Sequence, residues 1–282
     1  MDTGDSQAHP RALLQARGLR PKKKYGQNFL IDGTAARRIA KLAAGATPEH
    51  ARIIEIGAGT GALTAALVEE GVALTAIEID PELIHILASR NDCATVSILC
   101  ADALAFDYTS YASHGPWRVT GNLPYNIATP LIIGFCEMEN APEALTVMIQ
   151  KDVADRLAAQ PATRAYGSLS IAVQYAMSVE RVFTLGPKAF YPAPNVHSTV
   201  VQLVRRPAPP VQPADLALFR SIVRAAFAYR RKTLANSLLL ALGIDRERLA
   251  RALRESQLSS MARGEELSME DFARISDALA ET

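Results

Sequence analysis

Cysteine is scarce and unpatterned in this sequence: its 282 residues include only Cys93, Cys100 and Cys136. An odd number with neither CxxC nor metal-ligand spacing argues against a disulfide framework, and no metal is expected. No apolar run approaches the roughly 18 residues that a membrane helix needs, so no membrane association is expected. The stretch from Met1 to His9 lacks the charged-then-apolar layout of a secretory signal. Net charge is close to nil at +1, so the global balance does not announce a polyanionic partner. Internal repeats are missing too. These absences leave a reduced, cytoplasmic protein as the economical expectation, with a monomer as the default.

What the chain does have is apolar content, 49% by composition. That supplies a sizeable core, and the length suits about two domains. Charge is unevenly distributed. Arg11, Arg17, Arg20, Lys22, Lys23 and Lys24 crowd the beginning, opposed only by Asp2 and Asp5. A second basic group, Arg220, Arg224, Arg230, Arg231 and Lys232, lies late in the chain. Taken alone, either run reads as a solvated tail or helix face.

Residues 1–24 read as a flexible basic arm without sustained periodicity. Over 25–206, short apolar runs alternate with helical stretches. Arg52–Ile56, Leu74–Ile79, Val96–Cys100, Trp117–Thr120 and Leu145–Ile149 are predicted strands. Leu63–Glu70 and Pro81–Ser89 are predicted helices, with Pro81 at a natural first-turn position. That alternation implies an α/β fold, a mostly parallel sheet with helices on both faces. Val179–Phe183 and Ser198–Val204 are further strands, flanking a proline-rich loop from Pro187 to Pro194. Pro207, Pro209, Pro210 and Pro213 suit a stiff linker, and 207–282 reads as a small helical domain. There Leu216, Phe219, Val223 and Phe227 form an apolar stripe, with Arg220, Arg224 and Arg231 expected to share another face.

Ile53 through Gly61 runs from a strand through Gly57, Gly59 and Gly61 into a helix. In an open α/β sheet such a turn sits at the carboxyl end of its strand, where ligands bind. Glu78 ends the next strand about 20 residues on, the position from which an acid reaches the ribose of a nucleoside cofactor. Gly57, Gly59 and Ala62 also satisfy the dinucleotide fingerprint, so a nicotinamide-dependent dehydrogenase stays open at this point. Asp102, just past the third strand, could meet a cofactor adenine or simply cap a helix.

Asn122-Leu123-Pro124-Tyr125 follows the fourth strand. Adenine N6 is a poor nucleophile because its lone pair is delocalised into the ring. Acceptors for both N6 protons favour a tetrahedral nitrogen with a localised pair. The Asn122 amide oxygen and the Leu123 carbonyl could supply them, with Pro124 fixing the turn. Tyr125 could stack on an extruded base. A bare Asn-x-Pro turn is an ordinary feature, but one placed beside a nucleoside-binding pattern points to adenine chemistry. Nicotinamide chemistry has no use for it.

Together these residues resemble the ribosomal RNA adenine N6,N6-dimethyltransferases, over roughly residues 20–275. Gly26-Gln27-Asn28-Phe29-Leu30 is similar to the family's amino-terminal signature, and Glu55 through Gly61 to its donor loop. The segment from Lys188 to Ser198 resembles its FxPxPxVxS motif. The resemblance implies an S-adenosylmethionine-dependent methyltransferase with a Rossmann-like sheet. Gln27, Asn28, Leu30, Gly57, Gly59, Gly61, Glu78, Ile79, Asp102, Ala103 and Asn122 would line its S-adenosyl-L-methionine site. Asn122, Leu123, Pro124 and Tyr125 would form the catalytic loop, with Phe190 the second face of a base sandwich. Phe227 through Ser237, Gln150 through Leu157 and Ala165 through Ser170 resemble the small-subunit branch. That branch dimethylates two adjacent adenosines in the 3′-terminal hairpin of 16S rRNA, within the immature 30S subunit. Arg220, Arg224, Arg230, Arg231 and Lys232 would then meet RNA. Tyr25 and Ala235 depart from the usual pattern, and Ala235 removes one candidate phosphate contact. A role chiefly as an assembly checkpoint, gripping immature subunits, is the alternative from another class.

Overall fold

The computed structural model describes residues 9–46, 51–229 and 231–280. Among them the strands are β1 (Phe29–Leu30), β2 (Arg52–Ile56), β3 (Ala73–Glu78), β4 (Ser97–Cys100), β5 (Arg118–Asn122), β6 (Ala144–Gln150), β7 (Met177–Leu185), β8 (Phe190–Tyr191) and β9 (Ser198–Arg205). The helices are α1 (Pro10–Gln15), α2 (Gly33–Ala44), α3 (Ala62–Glu69), α4 (Pro81–Ala88), α5 (Tyr108–Ala112), α6 (Ala128–Glu137), α7 (Lys151–Leu157), α8 (Ser168–Ala176), α9 (Leu216–Ala228), α10 (Leu234–Leu242), α11 (Arg246–Glu255) and α12 (Met269–Ala280).

The chain divides into two compact units, one running to Ala154 and resuming over Val179–Arg205, the other comprising Asp155–Ser178 and the chain from Arg206 onward. The first unit holds a seven-stranded sheet in the order β4-β3-β2-β5-β6-β9-β7. β4, β3, β2, β5 and β6 run parallel, and β9 returns antiparallel to β6. Central strands buried on both faces need near-continuous apolar runs. β2 meets that need with Ile53, Ile54 and Ile56, each at most 1% exposed. From β2 the chain builds outward through β3 and β4, then returns to the other side of β2 with β5 and β6. Neighbouring β2 and β5 therefore flank the switch point where ligands bind in such sheets.

Helix starts are locally specified. The Asp32 side chain accepts from the N–H groups of Thr34 and Ala35 to cap α2, and Asp80 accepts from Glu82 N–H to cap α4. The alanine- and isoleucine-lined face of α2 packs with Leu63 and Leu67 of α3 and with Ile53, Met148 and Val200 of the sheet.

The basic arm is partly built into this unit, contrary to the flexible reading; its residues 1–8 lie outside the described residues. α1 begins at Pro10, and Leu14 is 2% exposed within a cluster with Phe29, Leu83 and Ile86. One buried leucine in a polar, basic stretch is too weak a periodic signal to read from sequence. The proline-rich loop likewise contains β8, which pairs with β1 through Phe29↔Tyr191 and Leu30↔Phe190.

The second unit corrects the expected boundary at 206, because residues 155–178 group with the carboxyl-terminal helices rather than with the sheet. The reason is shared burial: Ala159, Tyr166 and Ile171 join Phe219, Ile222, Leu238, Leu253, Phe272 and Ile275 in one core. α9 is capped by Asp215, whose side chain accepts from Leu218 N–H, and α10 by Thr233, which accepts from Asn236 N–H. α9 stops at Ala228, with Tyr229 at φ −124°, ψ 83°. Arg231 therefore does not continue the α9 face that carries Arg220 and Arg224, as the spacing had suggested.

Candidate active site

A cavity of about 330 Å³ lies at the carboxyl ends of β2, β3 and β5. Its walls are the glycine turn after β2, Glu78 and Ile79 after β3, residues 101–104 after β4, residues 122–127 after β5, and residues 24–30. Gln27, Asn28, Leu30, Gly57, Gly59, Glu78, Ile79, Asp102, Ala103, Asn122, Leu123, Pro124 and Tyr125 all line it.

Two predicted residues do not. Gly61 is the N-cap of α3, and a Cβ there would stand 2.9 Å from Leu87 Cδ2, so it serves helix packing. Phe190 is 4% exposed in the core with Leu30 and Val200 and lines no wall of the cavity. Because β8 pairs with β1, its alternation places Phe190 inward and leaves Tyr191 half-buried.

Gly121, at the end of β5, has a role the residue pattern did not assign. Its φ is +153°, and a Cβ would lie 2.3 Å from the carbonyl oxygen of Ile56. Only glycine lets β5 approach the β2 turn this closely. That approach brings Asn122 beside the glycine turn: a Cβ on Gly57 would be 3.7 Å from the Asn122 carbonyl oxygen.

The carboxylates are held in place. Glu78, 6% exposed, accepts from Gly59 N–H at 2.9 Å through Oε2 and from Asp80 N–H at 3.0 Å through Oε1. Burial, the largest influence, raises its pKa above the usual carboxylate range despite those bonds. Glu55 is buried more completely, and Oε2 has no hydrogen-bond partner among the described residues. Burial pushes its pKa up to about 7; the nearby Thr64 hydroxyl and Arg90 oppose the rise, and the neighbouring Glu78 charge adds to it. Asp102 is exposed and accepts from Leu104 N–H at 2.9 Å, a turn rather than a helix cap, since α5 begins only at Tyr108. Below the cavity, Asp80 accepts from Lys22 Nζ at 2.8 Å and from Gln27 Nε2 at 2.9 Å. Burial alone would raise Asp80, but these hydrogen bonds outweigh it and hold its carboxyl below the usual range. Gln27 also accepts from Lys22 N–H at 2.7 Å, so its amide buttresses the wall.

The loop after β5 has its acceptors aligned. Asn122 Nδ2 donates to the Asn28 carbonyl at 2.7 Å, which fixes the amide and leaves Oδ1 as an acceptor. Leu123 N–H donates to Met148 O at 3.0 Å, extending the β5–β6 ladder. Among the described residues nothing donates to the Leu123 carbonyl. Pro124 O accepts from the N–H groups of Ile127 and Ala128, which starts α6 and stiffens the loop. Tyr125, half-buried, lines the same mouth.

In the second unit, Arg220 and Arg224 lie on α9, while Arg231 and Lys232 follow in the turn before α10. Arg224 donates to Ser221 Oγ at 3.2 Å and is exposed, as are Arg231 and Lys232. Arg230 lies outside the described residues.

A carboxylate-rich cavity at the switch point of this sheet, with a glycine turn on one side and unpaired acceptors on the other, defines an S-adenosylmethionine-dependent methyltransferase fold. Residues 18–281 match the model of a family described as ribosomal RNA adenine dimethylase. The ribosomal RNA small subunit methyltransferase A of Streptococcus sanguinis (strain SK36) is 41% identical over 278 residues, covering 95% of each chain. Its counterpart from Streptococcus mutans is 41% identical over 280 residues, 96% of each. Among solved structures, the 23S rRNA methyltransferase ErmE superposes with a TM-score of 0.69 at 26% identity, over 90% of this chain and 100% of its own. A dimethyladenosine transferase from Plasmodium falciparum shares the fold, with a TM-score of 0.68 at 22% identity over 88% of this chain and 95% of its own. This chain belongs to the ribosomal RNA adenine dimethylase family, which closes the dehydrogenase alternative.

Proposed function

We propose that the protein transfers methyl groups from S-adenosyl-L-methionine to N6 of two adjacent adenosines in the 3′-terminal hairpin of small-subunit rRNA, in the cytoplasm, during ribosome assembly. The identity to small-subunit enzymes over nearly the whole chain supports the choice of RNA. The observation that carries the chemistry is the pair of open acceptors at the end of β5, Asn122 Oδ1 and the Leu123 carbonyl.

The cavity suits the donor by its chemistry. Glu78 retains lone pairs for ribose hydroxyls after accepting two backbone bonds. Asp102 Oδ2 has no partner among the described residues and can accept from an adenine amine. The buried, partnerless oxygen of Glu55 faces the need of a cationic ligand for compensating charge. When bound, S-adenosyl-L-methionine supplies an electrophilic methyl group on a sulfonium, which leaves readily.

No strong base is then required. Asn122 and Leu123 hold both N6 protons, favour the tetrahedral nitrogen and aim its lone pair; alignment and polarisation supply most of the rate. Tyr125 stacks on the extruded base and offsets the few kcal/mol that unstacking costs. The surplus proton passes to water after transfer.

The test is nucleoside mass spectrometry of unmethylated small subunits incubated with the protein and donor. N6,N6-dimethyladenosine should form with wild type. Asn122→Ala should lose it by about a hundredfold or more, the scale of removing one preorganised polar contact, while donor binding measured by calorimetry stays nearly intact. Wild-type turnover in that variant would refute the acceptor role.

A further inference from the structure

The basic cluster near the amino terminus is unused by the chemistry above, yet it is not a loose tail. Leu14 anchors α1 in the cluster with Phe29, Leu83 and Ile86. The His9 ring meets Tyr191 edge-on at 5.6 Å, and Arg17 donates to Ser89 Oγ at 2.8 Å. Lys22 pairs with Asp80, and Lys24 lies 4.5 Å from the centre of the Tyr25 ring. The segment is therefore a docked wall.

Between this wall and residues 191–196 runs an open groove of about 1070 Å³. That exceeds the roughly 300–1,000 Å³ of small-molecule pockets, which suits an extended ligand. The groove shares Gly26, Gln27, Asn28 and Tyr125 with the donor cavity, so it leads directly to the transfer site. No aspartate or glutamate lines it, and Arg11, Arg20 and Lys23 do. These three are exposed, and their side chains have no hydrogen-bond or ion-pair partner among the described residues. The cations of this cluster thus divide into those that pin the wall and those left facing the groove. Tyr191 and the amides of Gln15, Gln150 and Asn195 also line it, beside apolar residues such as Leu19, Pro192 and Val196. Free cations tracking a groove, with aromatic and amide groups between them, match the physics of single-stranded nucleic-acid binding.

We propose that this groove holds the single RNA strand flanking the target adenosine, with Arg11, Arg20 and Lys23 on its phosphates and Tyr191 beside a neighbouring base. The inference rests on the adenine-methylating reading of the adjoining cavity. It divides RNA recognition between a strand clamp at the transfer site and any contacts made by the helical unit.

The experiment compares wild type with the triple variant Arg11→Glu, Arg20→Glu, Lys23→Glu. Fluorescence anisotropy follows a labelled single-stranded oligonucleotide containing two adjacent adenosines, across a salt series with donor present. In parallel, methylation of small subunits gives KM and kcat. The variant should bind the oligonucleotide at least tenfold more weakly, and its log–log salt slope should be shallower by about two, since each single-strand phosphate contact is worth about 0.7. KM should rise with kcat nearly kept. The conservative set Arg11→Lys, Arg20→Lys should restore binding, and an unchanged melting temperature excludes unfolding. Unchanged affinity and salt slope in the charge-reversed protein overturn the proposal. So does loss of acidic-peptide binding without loss of RNA binding, which would make the groove a protein contact. If wild type binds the oligonucleotide through these residues but transfers no methyl group, the catalytic reading fails while the groove stands.

Discussion

Replacing Glu55 with glutamine separates what the site needs from what the fold prefers. The carboxyl is buried, has one oxygen without a partner, and is pushed from an ordinary 4.5 up to about 7. At about 1.4 kcal/mol per tenfold in proton affinity, that gap amounts to at most roughly 3 kcal/mol. The sign follows from proton binding. Between pH 4.5 and about 7 the folded chain keeps a proton that the unfolded chain has lost, so stability falls as pH rises through that window. Below it the penalty vanishes; above it the penalty is complete. Glutamine has nearly the same shape and no charge, so Glu55→Gln should be more stable than wild type by up to about 3 kcal/mol at pH 8, with the advantage shrinking toward pH 4.5. Urea unfolding of the donor-free protein at several pH values measures both. Glu78 is shifted in the same direction and its charge adds to the Glu55 rise, so the difference reports the coupled pair rather than Glu55 alone. A stability difference independent of pH would refute the buried-charge argument.

Gly121→Ala should lower stability on the order of 3 kcal/mol or more, because its Cβ meets backbone rather than a yielding side chain; a melting curve matching wild type would contradict the close approach of β5 to β2. Tyr125→Ala should fold normally but transfer about ten- to a hundredfold more slowly through lost stacking. Phe190→Ala should instead show a core defect of roughly 3–5 kcal/mol; normal unfolding with a purely kinetic loss would restore the sandwich. Charge reversal at Arg224 and Arg231 should weaken binding to small-subunit RNA and flatten its salt dependence, and an unaltered slope would return that surface to a solvated role.

The strands of the parallel sheet were legible because their apolar runs are long and punctuated by glycine and proline, and β2 was placed to the residue. The glycine turn, Glu78 and the Asn122 loop were legible because their chemistry is local. What escaped was whatever depends on pairing across the chain. The β1–β8 ladder buries Phe190 and leaves Tyr191 half-buried, a one-residue difference that flips a side chain between faces. Residues 155–178 are apolar enough to read as core, but nothing local in them shows that their partners lie beyond residue 206. The end of α9 at Ala228 falls in a stretch, Tyr229 to Thr233, whose composition reads as helix.

Three conflicts between local preference and overall fold meet around one cavity. Glu55 and Glu78 bury charge at the ends of β2 and β3, and Gly121 removes a side chain from a central strand where packing would favour one. Each costs stability on its own, and each borders the same cavity or the strand pair that forms it. Sequences that specify a fold agree with it at most positions, so clustered disagreements mark function. The Glu55 comparison makes that concrete. If the carboxylate is kept for a cationic donor, Glu55→Gln should gain stability in the free protein and lose donor affinity together. A variant that gains the first without losing the second would leave the buried acid with no functional reason to persist.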